Sequence, residues 1–385
     1  MSKYELIATA TFGLEAIVAQ ELKSLGYQDV VVENGKVTFM GDESAICRTN
    51  LWLRTSDRVR LKVGEFRATT FDELFEQTKA LPWAEIIPAD ANFPVEGKSV
   101  KSTLYSVPDC QAIVKKAVVE SMKKKHKNDW FPETGPIYKI EVALLKDIAT
   151  LTIDTSGSGL NKRGYREAAN IAPLKETLAA ALVLLTRWHP DTVLADPLCG
   201  SGTIPIEAAL IGRNIAPGMK RQFASESWPT IPKEIWSQAR KESQDLAKYD
   251  QPLEVIGTDQ DEKAIKTARE NAVKAGVDQA IHFQRLDISQ FRSSKKYGKI
   301  ICNPPYGERI GQREEVEQLY REMGKVFSNL DTWSYYVITS HPQFESLFGK
   351  QASKKRKLYN GDLKIDYYQY FGPRPPRFNQ TVEKE

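Results

Sequence analysis

The chain has 385 residues, 41% of them apolar and 27% charged. At roughly 100–200 residues per domain, that length calls for two or three domains, and the balance excludes a disordered or low-complexity chain. The longest apolar run, residues 178–185, is far short of the roughly 18 residues of a membrane span, and Met1-Ser2-Lys3-Tyr4-Glu5 lacks the pattern of a signal peptide. A soluble, cytoplasmic protein is expected.

Four isolated cysteines (Cys47, Cys110, Cys199, Cys302) and four scattered histidines lack metal-ligand spacing, so neither a metal site nor a disulfide framework is expected. The net charge of +4 is unevenly spread. Residues 1–160 hold 20 Lys and Arg against 22 Asp and Glu, and residues 161–385 hold 34 against 28. Two basic runs stand out, Lys123-Lys124-Lys125-His126-Lys127 and Lys354-Lys355-Arg356-Lys357. Such runs suit phosphate contacts, and solvated surface is their alternative.

In chain order, residues 4–9 read as a strand. Leu14, Ile17, Val18, Leu22 and Leu25 then recur at helical spacing, with Gly26 as the stop. Asn34-Gly35 between two β-rich stretches predicts a hairpin, and a helix follows over 42–53. A second α/β region has a strand at 58–63, a helix at 70–80 and an alternating stretch at 99–103. A helix capped by Asp109 and ending in the lysine run comes next, then strands at 137–145 and 149–154. Ser156-Gly157-Ser158-Gly159 reads as a hinge. Beyond it, strands ending at Asp196, Asp259, Asp287 and Asn303 alternate with helical patterns, and a fifth strand lies at 334–339. That alternation predicts a mostly parallel sheet covered by helices. Residues 356–370 around Asn360-Gly361 predict a closing antiparallel hairpin.

Open α/β sheets bind ligands at the C-terminal ends of their strands. The first such end is Asp196-Pro197-Leu198-Cys199-Gly200-Ser201-Gly202-Thr203. Gly200 and Gly202 allow a sharp turn and close approach of a ligand to the backbone. No Gly-Lys-Ser/Thr follows, and Pro205 occupies the place of a third glycine, so neither a triphosphate loop nor a dinucleotide fingerprint is present. An acidic residue just before the loop repels pyrophosphate and suits a cationic ligand. Asp259, at the second strand end, can accept hydrogen bonds from ribose hydroxyls. Asp287 can meet an adenine amine or cap a helix. The insertion over residues 213–250 lies between the first two ends, and its Trp228 and Trp236 either pack within it or touch substrate. At the last end, Asn303-Pro304-Pro305-Tyr306 forms a stiff turn, since two prolines can continue neither sheet nor helix. The Asn303 amide oxygen and the Pro304 carbonyl can together accept an –NH2 group, and Tyr306 offers a face for a base to stack on.

This constellation resembles the class I S-adenosylmethionine-dependent amino methyltransferases over residues 165–385. Together with the N-terminal region, the junction Asn161-Lys162-Arg163-Gly164-Tyr165-Arg166 and residues 172–179, the chain is similar to THUMP-containing RNA guanine-N2-methyltransferases, which include the 23S rRNA large-subunit enzymes. The resemblance implies an α/β architecture in three parts: a ferredoxin-like unit at 1–53, an RNA-binding THUMP domain at 54–160, and a Rossmann-like methyltransferase domain at 161–385. It implies S-adenosylmethionine bound by Asp196, Pro197, Cys199, Gly200, Ser201, Gly202, Thr203, Asp259, Asp287, Ile288 and Asn303. It implies catalysis by Asn303, Pro304, Pro305 and Tyr306, and RNA contacts from Lys123, Lys124, Lys125, Lys127, Lys162, Arg163 and Arg166. The expected reaction is methyl transfer to guanosine N2 in rRNA. Transfer RNA, DNA adenine-N6 methylation and a non-catalytic RNA-binding role remain as alternatives.

Overall fold

A computed structural model describes residues 3–127, 130–166, 174–307 and 313–374. Residues 172 and 173, the start of the matched stretch 172–179, lie outside the described residues. The chain forms two compact units, residues 1–163 with 216–247, and residues 164–215 with 248–385.

The first unit is built on one seven-stranded sheet. Its strands are β1 (Tyr4–Ala10), β2 (Val30–Glu33), β3 (Lys36–Gly41), β4 (Ser56–Arg67), β5 (Val95–Val100), β6 (Ile140–Leu145) and β7 (Ile148–Asp154), in the order β2-β3-β1-β4-β7-β6-β5. The twelve-residue β4 is the seam, pairing antiparallel with β1 on one side and β7 on the other. The two portions expected as a ferredoxin-like unit and a THUMP domain therefore share a continuous sheet and one apolar cluster. Asn34-Gly35 forms the expected two-residue turn, because Glu33 pairs with Lys36 and Gly35 has φ +77°. The stretch read at 99–103 is displaced. β5 starts at Val95 and pairs in parallel with β6, and the chain turns at Lys101, where φ is +50°.

Two further readings change in this unit. Residues 216–247, taken from sequence as part of the catalytic region, pack into the first unit's core. Trp236 stacks on Phe223 with centroids 5.3 Å apart, Trp228 stacks on Tyr138 at 4.3 Å, and all four rings are buried. Burying about 150–250 Å² per aromatic ring makes this segment an anchor, and packing is the role of both tryptophans. The expected hinge is also held fast. The Ser156 hydroxyl donates to the Asn50 side chain at 2.6 Å and accepts the Val59 amide at 2.9 Å, while Arg221 donates to the Gly159 carbonyl at 2.6 Å.

The second unit's sheet contains β8 (Leu194–Asp196), β9 (Val255–Asp259), β10 (Ile281–Arg285), β11 (Lys299–Cys302), β12 (Ser334–Thr339), β13 (Lys354–Asn360) and β14 (Leu363–Tyr370). The order is β10-β9-β8-β11-β12-β14-β13, with five parallel strands closed by an antiparallel hairpin, as expected. The hairpin turn is Gly361-Asp362, one residue later than read, because Asn360 still pairs with Leu363. The strand order reverses at β8, whose neighbours are β9 and β11, so a crevice opens beyond its C-terminal end. Among the described residues, no helix is long and apolar enough to cross a membrane.

Arg163 illustrates the difference between a basic sequence and a basic surface. It is 4% exposed, and its guanidinium donates to the carbonyls of Leu160 and Arg54. The expectation that it grips RNA is thus corrected, because the side chain is buried and both its Nη groups donate to backbone carbonyls. Hydrogen bonds from a charged group contribute about 1.5–3 kcal/mol each. Arg163→Ala is expected to lower thermal stability by at least one such increment and leave total-RNA binding of the folded protein unchanged in a filter assay. Lost RNA binding at unchanged stability would restore the contact role.

Candidate functional site

β8 ends on Asp196, which is 2% exposed, and its carboxylate accepts the Leu198 amide at 3.2 Å, turning the chain out of the sheet. Burial holds the Asp196 carboxyl well above the usual carboxylate range, and the neighbouring Asp259 charge pushes the same way. The Cys199 amide then donates to the Thr258 carbonyl at 2.9 Å, which binds the loop to β9. Gly200 and Gly202 are both left-handed, at φ +52° and +81°, for different reasons. A Cβ on Gly202 would stand 2.9 Å from that of Ala268 and 3.0 Å from the Phe283 ring, whereas one on Gly200 would meet nothing within 4 Å. Gly202 permits packing, and Gly200 presents bare backbone to open space.

The loop is fastened from several directions. Asn271 donates to the Ser201 carbonyl at 3.0 Å, and the Ser201 and Thr203 hydroxyls lie 3.5 Å apart. Arg166 pairs with the nearly buried Glu176 at 2.9 Å and also reaches the Leu174 carbonyl, so its expected RNA contact is replaced by an internal one. Asp259, at the end of β9, accepts the Gly200 amide on one oxygen and the Asp261 amide on the other, each at 2.9 Å. Asp287 caps the short turn Ile288–Gln290, accepting the Ser289 hydroxyl at 2.6 Å and its amide at 2.9 Å. Those two bonds hold its carboxyl below the ordinary range.

At the end of β11, the Asn303 side-chain oxygen accepts the Tyr306 hydroxyl at 2.6 Å. A carbonyl oxygen has two lone pairs, so one acceptor position remains. Pro304 is buried and Pro305 is exposed. Sequence reasoning missed what steadies this turn. Tyr320 is fully buried, donates to the Pro305 carbonyl at 2.8 Å, and lies 2.9 Å from the Thr339 hydroxyl. The His341 ring packs edge-on against Tyr320 at 5.5 Å. A tyrosine on an amphipathic helix carries no local mark of such a task.

These ends converge on a cleft of about 640 Å³. Among the candidates, Gly200, Asp259, Asp287, Ile288, Asn303 and Pro305 line it, while Asp196, Pro197, Cys199, Ser201, Gly202, Thr203, Pro304 and Tyr306 are outside that lining. Gln260, Glu315 and Glu322 also line the cleft and were not foreseen. Among the described residues, with Asp259 and Asp287 the lining holds four carboxylates and neither lysine nor arginine. That field opposes a pyrophosphate and favours a cationic ligand. Burial pushes the Cys199 and Cys302 thiols up, so neither supplies a thiolate nucleophile at neutral pH.

In the first unit, Lys124, Lys125 and Lys127 are exposed at the end of the helix Val107–His126, whereas Lys123 pairs with Glu120 at 3.0 Å. Lys162 is exposed.

Three families match along the chain: the RlmL ferredoxin-like domain at residues 5–60, the THUMP domain at 68–154, and UPF0020, the RMKL-like methyltransferase domain, at 163–369. The chain belongs to the UPF0020 methyltransferase family. It is a methyltransferase of the S-adenosylmethionine-dependent class. It is 55% identical to "Putative RNA methyltransferase YpsC" of Bacillus subtilis (strain 168), over 99% of each chain. It is 35% identical to the ribosomal RNA large subunit methyltransferase K/L of Syntrophotalea carbinolica, over 93% of this chain and about half (52%) of that relative's length. Two solved structures share the fold over nearly their whole length. A predicted N6-adenine-specific DNA methylase from Listeria monocytogenes is 60% identical, with a TM-score of 0.93 over 97% of each chain. The structure of "SMU.472, a putative methyltransferase complexed with SAH" is 46% identical, with a TM-score of 0.92 over 98% of this chain and 100% of that one.

The buried Asp196 carboxyl yields a pH-dependent expectation. Its folded pKa lies above the unfolded value of about 3.9, so the folded state holds the proton more tightly, and stability from this group falls as pH rises between the two values. Asp196→Asn removes that penalty. Its Tm should exceed that of the wild type at neutral pH by a few degrees, since about 1 kcal/mol moves a domain of this size by roughly 2–4 °C. The gap should shrink as pH falls and close below pH ~3, where the group is protonated in both the folded and the unfolded state. A gap that grows on acidification would contradict the assignment.

Proposed function

We propose that the protein transfers a methyl group from S-adenosylmethionine to the exocyclic N2 of a guanosine in RNA, with 23S ribosomal RNA as the substrate. The observation that carries the reading is the Asn303-Pro304-Pro305-Tyr306 turn, at the rim of a cleft whose described lining is acidic. The ribosomal K/L relative supports the RNA class, and the SAH complex of SMU.472 supports the cofactor.

Gly200, Asp259, Asp287 and Ile288 would hold the cofactor, with Asp196 and the Ser201–Thr203 segment shaping the loop behind them. Bare backbone at Gly200 and the carboxylates of the cleft fit a cationic adenosyl ligand. The cofactor supplies an electrophilic methyl group on a sulfonium. Asn303 and the Pro304 carbonyl accept the N–H groups of the substrate amine, drawing its lone pair out of conjugation with the ring. Tyr306 donates to the Asn303 oxygen and so fixes the direction of the remaining lone pair, while its ring gives the base a stacking face worth about 1–3 kcal/mol. Tyr320 keeps the turn rigid through the Pro305 carbonyl. Positioning and fitted electrostatics then provide the acceleration, and no strong base is required. The target base must leave its stack, at a cost of a few kcal/mol. Exposed Lys124, Lys125, Lys127 and Lys162 contact flanking phosphates, and Trp130, 75% exposed just beyond the lysine run, adds an aromatic face.

Mass spectrometry of nucleosides from rRNA, tRNA and DNA of cells with and without the protein tests the reading. N2-methylguanosine should be depleted in 23S rRNA when the protein is absent, and Asn303→Ala should fail to restore it, with turnover at least a hundredfold lower. Depletion in tRNA would redirect the substrate. Loss of N6-methyladenine from DNA, the activity named for the Listeria relative, would overturn it.

A further inference from the structure

A second cavity, of about 470 Å³, lies at the other edge of the methyltransferase sheet. Lys299 opens β11 and Ser334 opens β12, and both line this cavity, whereas Asn303 follows the far end of β11 and lines the acidic cleft. Four residues of strand at about 3.3 Å each separate the two sites by on the order of 13 Å.

The electrostatics of the two sites are opposite. Among the described residues the cavity is lined by Arg187, Lys299 and Arg374, with no Asp or Glu. His189 also lines it, but its ring pairs with Asp191 at 3.2 Å. The Lys299 ammonium donates to the Thr186 carbonyl, an uncharged partner. Burial, with the Arg187 charge beside it, brings the Lys299 amine down to about 8. Arg187 has a left-handed backbone, φ +52°, a conformation unfavourable for a residue with a Cβ. A strained arginine and a largely desolvated lysine therefore bring like charges to one cavity, and an anion relieves the repulsion. Hydroxyls of Thr332 and Ser334 add donors on the same wall. Guanidinium, ammonium and hydroxyl donors together match a phosphate's several acceptor oxygens.

The geometry points to a phosphate-binding site at the N-terminal edge of this sheet, with Lys299 and Arg187 as its principal ligands. The site is independent of the methyl-transfer reading. It accepts the phosphate of a small phosphorylated molecule or of an RNA backbone, the group that the acidic cleft rejects.

Calorimetry on the full chain tests it with inorganic phosphate, guanosine monophosphate and a short single-stranded RNA as three probes. The wild type should bind at least one saturably, and Lys299→Met and Arg187→Gly should each weaken that binding at least tenfold. Arg187→Gly removes the guanidinium where glycine suits the backbone, so its Tm should equal or exceed that of the wild type and separate lost binding from lost fold. Weakening of the phosphate and nucleotide alone supports a small phosphorylated ligand, and parallel weakening of RNA supports a backbone contact. No saturable binding by the wild type, or unchanged affinity in either folded variant, overturns the site.

Discussion

The carboxylate of Asp259 holds together the C-terminal end of the second unit's parallel strands. One oxygen receives the Gly200 amide and the other receives that of Asp261, so the loop leaving β8 and the turn leaving β9 are tied to a single side chain. Charge-assisted bonds of this kind are about twice as strong as neutral ones. They bring Gly200 to the edge of β9 with its Cα facing open space, and the cleft exists because that edge stays open. Asp196 and Gly202 support the same loop from behind, one by a buried carboxyl on the Leu198 amide and the other by close packing on Ala268 and Phe283.

The second unit then separates charge along its strands. Among the described residues, the cleft at their C-terminal ends gathers four carboxylates, and the second cavity at their N-terminal ends gathers arginine and lysine. The five parallel strands enforce this, because residues a few positions apart in sequence emerge at opposite edges. The first unit uses its charges differently. Arg58, Arg163 and Arg221 bind the carboxylate of Asp154 or backbone carbonyls around residues 154–163, and burial with neighbouring cations brings Arg221 down to about 10. Basic residues there stabilise a chain segment that would otherwise be loose.

The fold class was legible because its signals are local and repeated: apolar strands ending in Asp or Asn, helical spacing between them, and turn dipeptides at the hairpins. The site was legible for a related reason, since strand ends at a switch point concentrate ligand-binding residues. What stayed hidden depends on tertiary partners. Nothing near Tyr320 or Asn271 in sequence marks them as supports of the Asn303 turn and of the Ser201 carbonyl. Arg163 and Arg166 look like surface cations because they sit among glycines and polar residues, and only folding supplies the carbonyls and the Glu176 carboxylate that occupy them. The 216–247 segment reads as an insertion into one domain because the chain is linear, yet its aromatic residues complete the core of the other unit.

Calorimetric titration of S-adenosylhomocysteine into the wild type and Asp259→Asn tests the cofactor site most directly. The substitution keeps the side chain's size but removes its charge and one of its acceptor oxygens. Losing charge-assisted hydrogen bonds of about 1.5–3 kcal/mol each predicts at least tenfold weaker binding in a variant that remains folded. Equal affinity in the two proteins would contradict the placement of the cofactor at this carboxylate.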